Sequence, residues 1–438
     1  MTTAHTGYPR NEALYIPMRD GVRIAVDVWL PAGLDNHAHV PALLRATRYW
    51  RARGMVDCQL EADSNFALAE RLNGAGYAYV IVDARGTGAS FGVCTASYSH
   101  AEVADYGEIV NWIAAQPWSS GRVGTFGISY DANTAELTAV PNPLALMAVV
   151  PRFSDFDVYD QLIFPGGVFF DWFLKTWGDG NHLLDTNDIC ALSGVTGAAC
   201  DELKRTVTGV KPVDADPDGS QLAAAIREHA ANHRVYDMRR AIEFKDDPLP
   251  PANETLFDAA VPSRRAQIER AGVAYQAWAS WLDAGTQLGV LSRYNTFANP
   301  QQVIIGAWSH GAHWHADPFT TGDAPAEADL DAQYEQILGF FGPILLDGAP
   351  PEAAQRGISY YVMGAGVWRT TAVWPPAGIT TERWFLGSHN TLTSTTPGPR
   401  GADDYTVDFS ATTGPDNRWH TQFGGGPVRY PERAAASA

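Results

Sequence analysis

The sharpest chemical signal in the chain is Gly127-Ile128-Ser129-Tyr130-Asp131. It stands between a predicted strand, residues 121–126, and a predicted helix of small residues, 131–140. A tight strand-to-helix turn lifts a hydroxyl clear of a sheet and sets the free N–H groups of a helix N-terminus beside it. A serine nucleophile that generates an oxyanion needs both. Gly127 keeps a side chain out of the turn. The second glycine usual in such turns is replaced by Asp131, whose charge is expected to point outward. The plainer alternative is a serine in an ordinary strand–helix turn, since a bare G-x-S-x pattern is common by chance.

Such a serine needs a base, and the base needs an orienting acid. Asp283 follows the strand-like run 275–281, and His310 follows the strand around Ile304, in Gly306-Ala307-Trp308-Ser309-His310-Gly311. Nucleophile, acid and histidine, each at a strand end and in that chain order, fit a nucleophile-elbow hydrolase. Taken singly, Asp283 could cap a helix and His310 could be a loop histidine. His310, His313 and His315 match no metal-ligand spacing, so no metal is expected. Asp83-Ala84-Arg85-Gly86-Thr87-Gly88 lacks the rest of a dinucleotide fingerprint. It reads as a turn held by Asp83 and Arg85 under the site, and no cofactor is expected.

The elements that must position these residues follow an α/β grammar. Asp20-Gly21 marks a hairpin between two strands within residues 12–30. Residues 43–47, 78–82, 121–126 and 144–150 read as strands, and 102–116 as an amphipathic helix stopped by Pro117. Near-continuous apolar strands alternating with helices argue for a parallel sheet covered on both faces. The alternation breaks over residues 151–270, which read as a helical insertion placed to roof a substrate site. It resumes with strands at 273–278 and 302–306, a helix over 284–294 and an acidic helix over 326–341. After about residue 355 come short strands, 358–362, 382–386 and 405–407, read as the start of an all-β domain. Residues 431–438 read as a frayed tail.

At 438 residues the chain is long enough for two or three domains, and 45% apolar with 18% charged residues is a globular composition. Its 49 acidic and 31 basic residues give a formal charge of -18. That sign, without a basic stripe, argues against nucleic acid as a partner. No apolar run approaches 18 residues, so no membrane span is expected. The first seven residues have neither a basic nor an apolar signal region, which places the expected chain in the cytoplasm. Cys190 and Cys200 could pair in an oxidising compartment, but two thiols in a cytoplasmic enzyme is the preferred reading.

As a set, the motifs resemble the cocaine esterase and X-prolyl dipeptidyl-peptidase family of serine α/β-hydrolases, which includes glutaryl-cephalosporin acylases and α-amino-acid ester hydrolases. The resemblance rests on Met18-Arg19-Asp20-Gly21-Val22, Thr47-Arg48-Tyr49-Trp50, residues 83–88, Gly127 to Tyr130, Trp281-Leu282-Asp283, residues 306–310, Tyr361-Val362-Met363-Gly364 and Trp368-Arg369. It implies a triad of Ser129, Asp283 and His310. It also implies an oxyanion hole built from the Tyr49 hydroxyl and the Tyr130 N–H. The implied organisation is a hydrolase core over 1–150 and 271–350, a helical cap over 151–270 and a partial C-terminal jelly-roll domain over 351–438. The jelly-roll resemblance stops early, which implies a partner chain or self-association.

The aromatic run from Phe164 to Trp177, with Trp50, Trp278 and Trp308, is a candidate pocket wall, Phe164, Phe169 and Trp172 foremost within the run, with core packing as the equal alternative. The expected activity is cleavage of a carboxylic ester through an acyl-enzyme on Ser129, the partner being a small ester or amide. An X-prolyl dipeptidyl peptidase or a β-lactam side-chain acylase is the runner-up. A peptidase that grips a free amine would need a carboxylate from Asp155, Asp157, Asp160 or Asp171. A binding or assembly protein on the same scaffold is the non-enzymatic alternative.

Overall fold

The computed structural model describes residues 10–423 except 36, 57–63, 241, 251–252, 320–328, 390, 397, 399–400, 403, 405 and 409–416. The expectations for residues 1–7, Cys58, Tyr405 and the tail at 431–438 lie outside the described residues.

The first two strands, β1 (Arg10–Pro17) and β2 (Arg23–Leu30), form the hairpin that Asp20-Gly21 predicts, with Pro17 opposite Arg23. Gly21 takes a φ of 83° in the turn, a conformation that suits a residue without Cβ. Eight further strands join the same sheet: β3 (Val40–Thr47), β4 (Ala78–Asp83), β5 (Ser119–Ile128), β6 (Leu146–Arg152), β7 (Ala274–Ser280), β8 (Gln301–Gly306), β9 (Gly357–Val362) and β10 (Val367–Thr371). Their spatial order is β1-β2-β4-β3-β5-β6-β7-β8-β9-β10. From β4 to β9 every neighbouring pair is parallel.

Residue type explains the layers. All six residues of β4 are buried, as a strand covered on both faces requires. One face packs against α2 (His100–Ala114) through Tyr106, Ile109, Val110 and Ile113. The other meets α1 (Ser64–Gly74) and α6 (Leu330–Leu345) through Phe66, Leu72, Phe340 and Phe341. At about 1.5–3 kcal/mol for each large apolar side chain, this double burial is the main force behind the sheet. The chain passes from β3 to β4 on one side and then to β5 on the other. That reversal opens a crevice at the carboxyl ends of β3 and β5. This is an α/β-hydrolase sheet.

The insertion between β6 and β7 carries α4 (Asp171–Asp185), several short helices and a core of its own around Phe173, Leu174, Val235, Leu249 and Leu256. It also contains short strands. Val207–Val210 pairs with Arg53–Met55 of the body, and Pro248–Leu249 pairs with Glu254–Thr255. Cys190 and Cys200 are disulfide-bonded within it, against the preferred reading of two thiols. Their Cα atoms are 5.3 Å apart, within the range a disulfide spans.

The strand expected over 358–362 forms, but not in a separate β domain. It is β9, paired in parallel with β8, and β10 follows it at the edge of the main sheet. The later β region, among the described residues, is a two-stranded pair, Phe385–Gly387 with Thr391–Thr393. No helix among the described residues is long and apolar enough to cross a membrane.

Candidate active site

Ser129 stands at the carboxyl end of β5, immediately before α3 (Tyr130–Leu137). Its backbone is at φ 63°, ψ -125°, a conformation that costs a residue with a side chain about 1–3 kcal/mol. The fold holds it there from both sides. The Ser129 N–H donates to the Arg152 carbonyl of β6 at 2.9 Å, and its own carbonyl accepts from Ala132 in the first turn of α3. A Cβ on Gly127 would lie 2.3 Å from the Asp131 carbonyl oxygen, so only glycine lets helix and strand approach this closely. Tyr130 opens α3, and its N–H is one of the orphan donors of the first turn.

Asp131 does not point outward. It is buried, and its Oδ2 accepts from Nε of Arg45 on β3 at 2.7 Å. Burial raises its carboxyl above the ordinary range while the Arg45 charge pulls it back. The local turn carries no sign of this pair, because Arg45 is 86 residues away.

Asp283 lies just beyond β7 and is fully buried. Its Oδ2 accepts from His310 Nδ1 at 2.7 Å, and its Oδ1 accepts from the Thr421 hydroxyl at 2.9 Å. His310 begins a short turn after β8, and the Phe153 ring stands edge-on to it at 5.8 Å. Burial pulls the His310 imidazole down, but the charge and hydrogen bond of Asp283 outweigh it and hold the ring above its ordinary value. His310 Nε2 is buried and has no hydrogen-bond partner among the described residues. The structure thus joins acid to histidine and leaves the histidine's outer nitrogen unengaged, Ser129 included. Resting sites of this kind often tighten only when substrate binds.

Tyr49 follows β3, and its hydroxyl accepts from the indole N–H of Trp177 on α4 at 3.0 Å. Burial, helped by the Asp131 charge, pushes the phenol up to about 12. It therefore stays protonated and keeps its hydrogen for another acceptor. The loop carrying Tyr49 is fixed from below. Asp83 Oδ1 accepts from the Arg51 N–H at 2.6 Å, and Asp83 Oδ2 accepts from Ala89 N–H at 2.8 Å. Arg85 grips Asp105 with two 2.7 Å bonds. The 83–88 turn is thus a girder under the site.

Tyr49, Ser129 and Tyr130 line one cavity under the cap, whose empty space, open mouth included, is about 700 Å³. Phe173, Leu174, Trp177 and Leu256 supply apolar walls. Among the described residues, Asp155 and Glu254 are its two carboxylates, and no lysine or arginine lines it. Asp155 Oδ1 is buried without a hydrogen-bond partner among the described residues. Burial, then the negative charge of Asp283, pushes this carboxyl up to about 7, with His310 opposing.

Of the aromatic run 164–177, Phe173 and Trp177 line this cavity, whereas Phe164, Phe169 and Trp172, with Trp50, Trp278 and Trp308, do not. Trp278 and Trp308 stack on each other in the core at 5.9 Å. Trp50 is buried with its indole N–H donating to the Leu184 carbonyl. Phe164 and Phe169 pack together at the edge of the cap core. Trp172 is 39% exposed. Phe173 and Trp177, four apart on α4, share the face that meets the site, and Trp172 is turned about 100° away. The i, i+4 spacing was the available signal. Asp155 was only one of four candidates in sequence, and Thr421 carried no signal at all.

A family model for X-Pro dipeptidyl-peptidases (S15 family) matches residues 20–312. The chain is similar to "Putative serine esterase Mb1866c" of Mycobacterium bovis, 34% identical over 99% of this chain and 73% of that one. It is 26% identical to cocaine esterase of Rhodococcus sp., over 90% of this chain and 66% of that one. Among solved structures it resembles a CocE/NonD family hydrolase from Staphylococcus aureus, with TM-score 0.61 and 19% identity over 88% of this chain. The chain spans 60% of that structure's length. It also resembles an aminopeptidase from a Thaumarchaeota archaeon, with TM-score 0.58 and 20% identity over 92% of this chain and 66% of that one.

Proposed function

The chain belongs to the X-Pro dipeptidyl-peptidase (S15) family, the serine hydrolases related to cocaine esterase, and on that premise we propose that it cleaves a carboxylic ester through an acyl-enzyme on Ser129. The observation that carries this reading is the 2.7 Å contact between His310 and Asp283, made by residues from two different strand ends beside a strained serine turn. Ser129 attacks the carbonyl carbon, and His310 Nε2 takes its proton. Asp283 holds the imidazole with its proton on Nδ1 and stabilises the imidazolium. The Tyr49 hydroxyl and the Tyr130 N–H donate to the oxyanion. His310 then protonates the leaving alcohol, and water repeats the sequence on the acyl-enzyme. The hydrolase core of this reading covers residues 1–150 and 271–371, with the cap between.

Asp155 favours a second reading of the substrate. A carboxyl in the cavity suits an acyl group bearing a cationic amine, as in an amino-acid ester or a peptide with a free N-terminus. Under that reading the same triad cleaves the ester of an amino acid or the amide bond of a peptide.

The test is a fluorophosphonate label with a panel of p-nitrophenyl esters and dipeptidyl-proline amides. Wild type should label stoichiometrically at Ser129, and Ser129→Ala should lose at least about 10³-fold in kcat. A Ser129→Ala protein that turns over the esters at the wild-type rate refutes the assignment. Folded protein that takes no label supports the binding-scaffold alternative.

A further inference from the structure

The triad acid is held by a segment that none of the sequence motifs includes. Asp283 uses one carboxylate oxygen for His310 and the other for Thr421, which lies 138 residues downstream. Thr421 is buried, and Asp283 has no access to water that could replace it. The Thr421 hydroxyl has one proton and three acceptors in reach: Asp283 Oδ1 and the Arg418 carbonyl, each at 2.9 Å, and the Leu282 carbonyl at 3.4 Å. The carboxylate is the only charged one and takes the proton.

The rest of the segment explains why Thr421 stays there. The Ala284 N–H donates to the Arg418 carbonyl at 2.9 Å, and the Arg418 guanidinium donates back to the Ala284 carbonyl. This clamp closes on the residue directly after the acid, whose φ is 42°. The next two residues reach the cap: Trp419 meets Phe170 edge-on at 5.6 Å, and His420 lies 3.8 Å from the Trp172 ring. Phe170 and Trp172 flank the start of α4, the helix that carries Phe173 and Trp177 into the cavity.

We infer that Thr421 is a positioning residue for Asp283, fixing the plane of its carboxylate and hence the tilt of the His310 ring. Two hydrogen bonds on opposite oxygens leave the carboxylate one orientation. With one removed, it swings about its last torsion, and His310 loses its aim at Ser129. The inference rests on the acyl-enzyme reading above.

The experiment uses the full chain and p-nitrophenyl acetate, with Ser129→Ala, Thr421→Val, Thr421→Ser, Asp283→Asn and the Asp283→Asn/Thr421→Val double variant side by side. Thr421→Val should lower kcat about tenfold with KM within about twofold of wild type. Thr421→Ser, which keeps the hydroxyl, should restore most of the rate. In the Asp283→Asn background the valine should cost nothing further, because its only route is through the acid. Thr421→Ala replaces valine if that variant does not fold. Wild-type kcat in Thr421→Val, with Ser129→Ala inactive, overturns the inference and leaves the parent reading standing. A tenfold loss that persists in the Asp283→Asn background overturns it as well, since the effect is then structural. Activity surviving in Ser129→Ala removes the parent reading and the inference with it.

Discussion

Two titratable groups beside the site, His310 and Asp155, are pushed in the same direction for different reasons, and each shift has a measurable sign. His310 is held above its ordinary value by Asp283, against the pull of burial. As a base it works only when neutral, so kcat/KM for an uncharged ester should fall as pH drops through a midpoint above the usual histidine value of about 6.5. Asp283→Asn should move that midpoint down as well as slowing the reaction. A limb at or below the usual value in wild type would count against the contact. Asp155 is raised to about 7 mainly by burial. Its folded value exceeds the unfolded one, so its contribution to stability is fully present at low pH and is lost as pH rises to about 7. Asp155→Asn should therefore melt higher than wild type at pH 8, with the advantage shrinking toward pH 4. Thermal melts at the two pH values check this. A group retained at such a cost in stability fits a binding role.

Trp177 ties the cap to Tyr49, the proposed oxyanion donor, and this coupling belongs to α4 and the loop after β3. Its indole N–H occupies one lone pair of the Tyr49 oxygen, and Arg48, held by Asp185 on the same helix, lies over the Trp177 and Tyr130 rings. Trp177→Phe keeps an aromatic ring against Phe173 while removing the N–H and the outer part of the indole. It should lower kcat about three- to tenfold with little change in KM, read on p-nitrophenyl acetate. A KM effect alone would make Trp177 a wall and nothing more. The elements differ in how far sequence reveals them. That Ser129, Asp283 and His310 stand at strand ends is legible, because each follows the point where an apolar strand run stops, a purely local mark. Asp131 and Thr421 are not, because their partners lie 86 and 138 residues away and leave no trace in spacing. Residues 358–362 read as part of a separate β domain, although they form β9 of the main sheet, because alternation along a strand is the same whichever sheet receives it. The cap aromatics are less legible for a related reason: six fall between residues 164 and 177, and only the i, i+4 pair Phe173 and Trp177 marks the face of α4 that meets the site.

The molecule as a whole adds a long-range field to this local chemistry. The chain carries a net charge of -18, and among the described residues its cavity is lined by Asp155 and Glu254 and by no lysine or arginine, with His310 opposing the Asp155 charge. A negative body with a negative cleft concentrates cations and repels anions before any contact is made. Two contributions with different ranges follow. The field of the surface charges is screened within about 8–10 Å at physiological salt, whereas a buried carboxyl facing the ligand is not. A trimethylammonium-bearing ester should therefore have a higher kcat/KM than its neutral isostere at about 10 mM salt. The ratio should fall several-fold as salt rises to about 500 mM. What remains at high salt belongs to the cavity, and it should vanish in Asp155→Asn and below pH 7, where the carboxyl takes up its proton. A ratio of one at low salt would show that the charge serves only to keep the chain dispersed. A salt-insensitive ratio untouched by Asp155→Asn would place the selectivity on Glu254 or on the aromatic walls instead.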